Sequence, residues 1–223
     1  MARKTRKRKR GPRIDSAVRG PSEDARGARA ARGRNPITRF RRWFAAAERS
    51  GAPLPEAIAL ATVDRRGRPS VRFVLLKDVD ARGFVFFTDG RSRKGGELAV
   101  NPEAAFACYW DALGKQVRVE GRVSEVAAAE ADAYWATRPR ESRLAASVSH
   151  QSAPLPRHAN LMARWRALGR RHPGDEVPRP ASWKGFRIEP RAIEFWTRGD
   201  FRLHHRERFE RRGRAWTRRL LQP

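Results

Sequence analysis

Between Val71 and Lys94 two β-forming runs, a polar turn and a helix start follow one another, and this order restricts the fold more than any other stretch. Val71 to Leu76 and Phe84 to Phe87 are rich in branched and aromatic residues, and the polar segment between them contains Gly83, which is the signature of an antiparallel hairpin. The second run ends in Thr88-Asp89-Gly90, and Ser92 is placed to cap a helix running to about Val100. Arg93 and Lys94 then fall in its first turn, where the helix dipole favours anions rather than cations. The arrangement makes sense if a phosphate binds there, drawn by side chains and free backbone N–H groups together. No Gly-x-Gly-x-x-Gly and no Gly-Lys-Ser/Thr accompanies it, so neither a dinucleotide fold nor a nucleotide triphosphatase is indicated.

A second cationic group lies near the C-terminus. After the apolar Ile193, Phe195 and Trp196, residues Arg202, His204 and Arg206 alternate, and on an extended segment all three would project from one face. Such a row suits an anionic or electron-rich ligand; the alternative is an edge strand blunted by charge.

The remaining pattern continues the antiparallel theme. Asn35-Pro36-Ile37 opens a helix to about Arg49, with Phe40, Trp43 and Phe44 forming an apolar stripe. Strands are expected at 57–63 and 69–77, then at 84–88, 104–110 and 116–123. An alanine-rich helix over 126–138 is stopped by Pro139, a second covers 142–148 with Ser142 as its cap, and a third runs to His172. Strands at 183–196, 203–210 and 214–220 finish the chain. Hairpin-linked strands with inserted helices predict a mainly β protein, an antiparallel barrel with helical additions.

At this point the chain resembles the pyridoxamine 5′-phosphate oxidase family. The resemblance rests on Arg72…Lys77, Phe87-Thr88…Ser92-Arg93-Lys94, Gln116 to Gly121, Tyr134…Arg138…Ser142, Gln151-Ser152 and Glu194-Phe-Trp196…Arg202-Leu-His204…Arg206, in order over about 35–223. It implies an FMN-binding split β-barrel, normally a homodimer with two flavin sites at its interface. It assigns FMN to Arg72, Lys77, Phe87, Thr88, Ser92, Arg93, Lys94 and Gln116, and to Gln151, Ser152, Trp196 and Arg206, with Gln151, Trp196 and Arg206 drawn from the opposite subunit. It assigns the substrate phosphate to Lys77, Tyr134, Arg138 and Ser142, and gives Arg202 and His204 the catalytic place over the substrate ring. Tyr134 and Arg138, four apart, would share a helix face. The implied reaction takes pyridoxamine or pyridoxine 5′-phosphate to pyridoxal 5′-phosphate, with hydride to flavin and dioxygen reduced to hydrogen peroxide. Phe87 stands where a tyrosine is common, Ser147 where a tryptophan is common and His205 where an acid is common. The Ala-Ser-Val-Ser149 stretch points to the related phenazine-biosynthesis oxidases as the alternative, and a non-catalytic flavin- or nucleic-acid-binding module is a third reading.

Composition bounds the rest. Residues 1–34 carry thirteen Lys/Arg against three Asp/Glu with almost no large apolar residue, which predicts a disordered basic tail; the resemblance implies that 35–223 is one FMN-binding oxidase domain whose last part, from about 180, serves dimerisation. Nucleic-acid binding through that tail would be incidental, since no nucleic-acid-recognition motif accompanies it. One cysteine, Cys108, excludes a disulfide framework, and five histidines without metal-type spacing offer no zinc site. No secretory or membrane-spanning pattern is read, so a cytoplasmic protein is expected.

Overall fold

Residues 35–223 are described by a computed structural model; the basic tail lies outside the described residues. Helix α1, Pro36–Arg49, starts where Asn35 accepts the Ile37 N–H at 2.9 Å through its side-chain oxygen, with Pro36 tolerated because the first helical N–H needs no partner. Strands β1 (Ala57–Val63), β2 (Pro69–Asp80) and β3 (Gly83–Asp89) follow, then helix α2 (Arg93–Val100). Next come β4 (Glu103–Trp110), β5 (Lys115–Glu125), helices α3 (Ala128–Thr137), α4 (Arg140–Val148) and α5 (His158–Arg171), and strands β6 (Trp183–Thr197), β7 (His205–Arg212) and β8 (Ala215–Leu221).

The strands order as β3-β2-β1-β4-β5-β6-β7-β8, and β6 also pairs with β3, so six antiparallel strands close a barrel and β7–β8 extend from it. Strand β6 serves both parts in succession. Its first half pairs with β3, from Asp89↔Trp183 to Phe84↔Ile188, and its second half pairs with β7, from Ala192↔Glu210 to Thr197↔His205. Pro190, which has no N–H to give, sits between the two ladders. Opposite it the β5 register shifts between Glu120 and Gly121, and a Cβ at Gly121 would lie 2.1 Å from the Glu189 carbonyl oxygen, so only glycine allows this approach.

Aromatic residues fill the barrel. Phe40 of α1 meets Phe84 edge-to-face at 4.9 Å, and Phe84 meets Phe106 at 5.1 Å. The predicted α1 stripe therefore closes one end of the core, with Trp43 and Phe44 packed on it. A smaller cluster, including Val85, Trp135, Leu144 and Trp183, lies beneath α3 and α4.

Three expectations are corrected. Arg138 has left the helix, with ψ 143°, because the residue before Pro139 is pushed to extended backbone. Helix α4 already begins at Arg140, so Ser142 lies inside its first turn and is not its cap. The strand expected from 203 starts at His205, because Phe201 and Arg202 take positive φ (54° and 65°) in a short 3-10 turn.

Phe40 has no solvent exposure. Phe40→Ala is expected to cost about 3–5 kcal/mol of unfolding free energy, read as a lower urea midpoint at unchanged slope.

Candidate functional site

A cavity of about 410 Å³ opens between the outer face of β2, the end of β3 and the corner joining α3 to α4. Eight of the residues singled out in the sequence line it: Lys77, Phe87, Thr88 and Lys94 from the barrel side, and Tyr134, Arg138, Ser142 and Gln151 from the helices and the loop beyond them. The bulge between Leu76 and Asp78 lets Lys77 and Asp78 both face outward, and Lys77 approaches Glu56 at 3.9 Å.

An aromatic stack forms one wall. Phe87, Tyr134 and Trp183 lie near-parallel in a triangle, with centroid separations of 4.2 Å (Phe87–Tyr134), 5.1 Å (Phe87–Trp183) and 6.0 Å (Tyr134–Trp183). The Arg138 guanidinium lies over Trp183 and Trp135, with centroid distances of 4.9 and 5.0 Å. One of its N–H groups reaches the Ser142 carbonyl at 3.3 Å, while Nη1 is buried with no hydrogen-bond partner among the described residues. Burial holds its pKa below the usual guanidinium value. A half-buried cation with one unanswered N–H is costly unless an anion meets it, and that is the condition a phosphate would satisfy.

Lys94 makes a second anion-seeking point. Ser92 caps α2 as predicted, accepting the Gly95 N–H at 3.3 Å, and Gly95 is obligatory because a Cβ there would lie 2.2 Å from the Gly90 carbonyl oxygen. The cap directs Lys94 inward, where Nζ donates to Thr88 Oγ1 at 2.9 Å and to Gln151 Oε1 at 2.5 Å. Gln151 therefore belongs to this cavity through its own chain. Burial, followed by the like charge of Arg72, pulls the Lys94 pKa down to about 8.

Arg72, near Lys94, and Arg93, which lines a separate cleft with Glu97, do not line this cavity; both are organised by Glu97, which the sequence reading did not single out. Glu97 is 6% exposed; Oε1 accepts from Arg93 Nε at 2.8 Å, and Oε2 from Arg72 Nη2 at 3.2 Å, Ser70 Oγ at 2.6 Å and Thr62 Oγ1 at 2.5 Å. Burial works against its charge, but these donors prevail and hold the carboxyl at about 2. A glutamate four residues after an arginine reads as a surface helix pair; burial of β1 and β2 partners around it was the missing signal.

The remaining predicted residues lie elsewhere in the chain. Gln116, Trp196 and Arg206 form one row across β5, β6 and β7, each directly opposite the next. Arg206 is engaged by Glu194 at 2.9 Å and by the Gln222 carbonyl at 3.0 Å. The expected row of Arg202, His204 and Arg206 does not form, since the first two precede the strand. His204 instead packs on Trp196 at 4.5 Å and accepts the Gly199 N–H at 3.3 Å, and exposed Arg202 follows Phe201, which is 94% exposed. Ser152, at φ 72°, is exposed beside Gln151. None of these six lines the cavity. Among the described residues no cluster could hold a metal ion, and no helix is long and apolar enough to cross a membrane.

Comparison with known proteins places the chain in a family. The profile described as pyridoxamine 5′-phosphate oxidase matches residues 45–197, and that of the pyridoxine 5′-phosphate oxidase C-terminal dimerisation region matches residues 183–223. The pyridoxine/pyridoxamine 5′-phosphate oxidase of Anaeromyxobacter dehalogenans is 53% identical over 189 residues, covering 85% of this chain and 96% of its own. The protein of the same name from Thermosynechococcus vestitus is 49% identical, over 85% of this chain and 89% of its own. Among solved structures, PhzG from Burkholderia lata in complex with tetrahydrophenazine-1-carboxylic acid superimposes with a TM-score of 0.81 at 37% identity, covering 85% of this chain and 93% of its own. A Nostoc punctiforme pyridoxamine 5′-phosphate oxidase-related, FMN binding protein shares the fold at TM-score 0.70 and 18% identity, over 82% of this chain and 97% of its own.

Because the folded-state pKa of Glu97 lies below its ordinary value of 4.5, its stabilising effect is complete above that value and is lost as pH falls through about 2. Urea midpoints measured from pH 6 to pH 3 should fall, and Glu97→Gln should flatten that part of the decline.

Proposed function

The chain belongs to the pyridoxamine 5′-phosphate oxidase family, and from that premise we propose that it oxidises pyridoxamine and pyridoxine 5′-phosphates to pyridoxal 5′-phosphate, with FMN as its flavin. The observation that carries the substrate half is the buried, unanswered Nη1 of Arg138 in the cavity wall. Bound FMN would supply the redox chemistry, accepting a hydride from the substrate's C4′ and passing the electrons to dioxygen to give hydrogen peroxide, while hydrolysis of the imine left from the amine substrate releases ammonia and pyridoxal 5′-phosphate.

Each part of this chain then has a task. Arg72, Arg93 and Lys94, with Ser92, Thr88 and the amides at the start of α2, hold the cofactor phosphate. Arg138, Ser142, Tyr134 and Lys77 hold the substrate phosphate, and the stack behind Tyr134 keeps that end rigid. The row of Gln116, Trp196 and Arg206 reaches the flavin from the second copy of a homodimer, while Gln151 and the neighbouring Ser152 come from the first. Outward-facing Val71 and Phe73 on β2, 68% and 77% exposed, would be covered by such an assembly. Arg202 orients the substrate ring and stabilises charge on its oxygen, and His204 shares a proton there. The protein's contribution is alignment of C4′ with the flavin, the step on which small displacements are expensive.

The likeness to PhzG favours a second reading, oxidation of a reduced phenazine acid. A substrate without a phosphate gives no role to Arg138, Ser142 and Lys77, which supports the vitamin B6 phosphates.

Arg138→Ala should raise KM for pyridoxamine 5′-phosphate about ten- to a hundredfold with kcat little changed, because its contact is remote from C4′. Arg202→Ala should also slow flavin reduction. Anaerobic stopped-flow reduction tests both; reduction by a dihydrophenazine acid but by neither phosphorylated vitamer would replace this function with the phenazine one.

Phosphate binding next to Lys94 favours its charged form, so binding takes up a proton when Lys94 is neutral. Affinity for FMN should be greatest below the free-site value of about 8 and fall as pH rises through it, a dependence that Lys94→Arg should remove. Fluorescence titration from pH 6.5 to 9.5 measures it.

A further inference from the structure

Arg72 and Arg93 arrive from separate elements, β2 and the first turn of α2, and each is long enough to adopt many orientations. What sets their relative position is one carboxylate. Glu97 binds Arg93 through one oxygen and Arg72 through the other, and Ser70 and Thr62 lock the second oxygen from β2 and β1. Arg72 also donates to the hydroxyls of Thr62 and Ser70 and to the Leu60 carbonyl at 3.4 Å, so both terminal nitrogens are held and Nε is left for a guest. Arg93, whose side chain is 62% exposed, uses Nε for Glu97 and makes no further hydrogen bond among the described residues, leaving its terminal N–H groups for a guest.

We infer that Glu97 is a positioning residue of the cofactor-phosphate site: it fixes Arg72 and Arg93 in the geometry that a phosphate monoester meets, and spares the empty site the repulsion of adjacent cations. The inference rests on the FMN reading above. It runs against simple electrostatics. A carboxylate beside an anion site should weaken anion binding, and its removal should then tighten it. If Glu97 acts by position, its removal weakens binding instead, because two unfixed guanidinium groups must be ordered at the moment the phosphate arrives. The two accounts predict opposite signs.

The test compares FMN with riboflavin, which lacks the phosphate, by fluorescence titration of the full-length apo-protein, with thermal melting alongside. Wild type should favour FMN. Glu97→Gln, and Glu97→Asp, whose shorter arm keeps the charge but not the reach, should each lose about tenfold or more in FMN affinity while riboflavin affinity stays constant. Ser70→Ala breaks one link and leaves every charge, and should lose about two- to tenfold, again on FMN alone; it decides the matter if the Glu97 variants do not fold. Equal or tighter FMN binding by the folded Glu97 variants, or proportional loss of both ligands, would overturn the positioning role while leaving the FMN reading intact. A wild type that does not distinguish FMN from riboflavin would overturn both.

Discussion

The pairing of β3 with the first half of β6 is the contact on which the cavity depends. It closes the barrel, and it also fixes the turn that leads into α2, because the Gly90 N–H donates to the Ser182 carbonyl at 2.7 Å just ahead of β6. Trp183, the first residue of β6, backs Phe87, and Phe87 backs Tyr134. The cations of α2 and the aromatic wall opposite them are therefore referred to one strand that the chain forms only near its end.

Arginine is abundant throughout the folded part, so its presence identifies nothing. Most of these side chains have a carboxylate. Arg187 bridges Asp80 and Glu130, each at 2.6 Å, and Arg208 takes Glu120 at 2.9 Å and Glu210 at 3.0 Å. Arg138 has no carboxylate within ion-pair distance and keeps a buried N–H unanswered, while Arg72 and Arg93 share one. What sets Arg138 apart is that its guanidinium lies over two indole rings in the cavity wall with no acid beside it.

Much of this was readable in the sequence where the signal is local. Asn35 and Ser92 announce their helices because a cap is a short-range hydrogen bond, and the β2–β3 hairpin is announced by its runs and its turn. The barrel class followed from the succession of hairpins, whereas the β3–β6 closure has no local mark. The site was legible as a set of residue types and only partly as an arrangement. Strict alternation placed Arg202 and His204 on a strand, yet Gly199 to Leu203 is folded into a turn by two positive φ values that no side chain there advertises. Ser142 looked like a cap, but Pro139 already occupies the position before α4. Glu97, Thr62 and Ser70 escaped notice because each is ordinary in its own segment, and their common purpose exists only where β1, β2 and α2 converge.

Cys108 is 2% exposed, and burial pushes its thiol up to about 12. Nucleophilic attack on a peroxide needs the thiolate, and solvent access to it. On the proposed chemistry each turnover releases hydrogen peroxide beside the protein that made it. The sole cysteine of the 223 residues is kept both protonated and out of reach, so on that chemistry the protein would present no thiol to its own by-product.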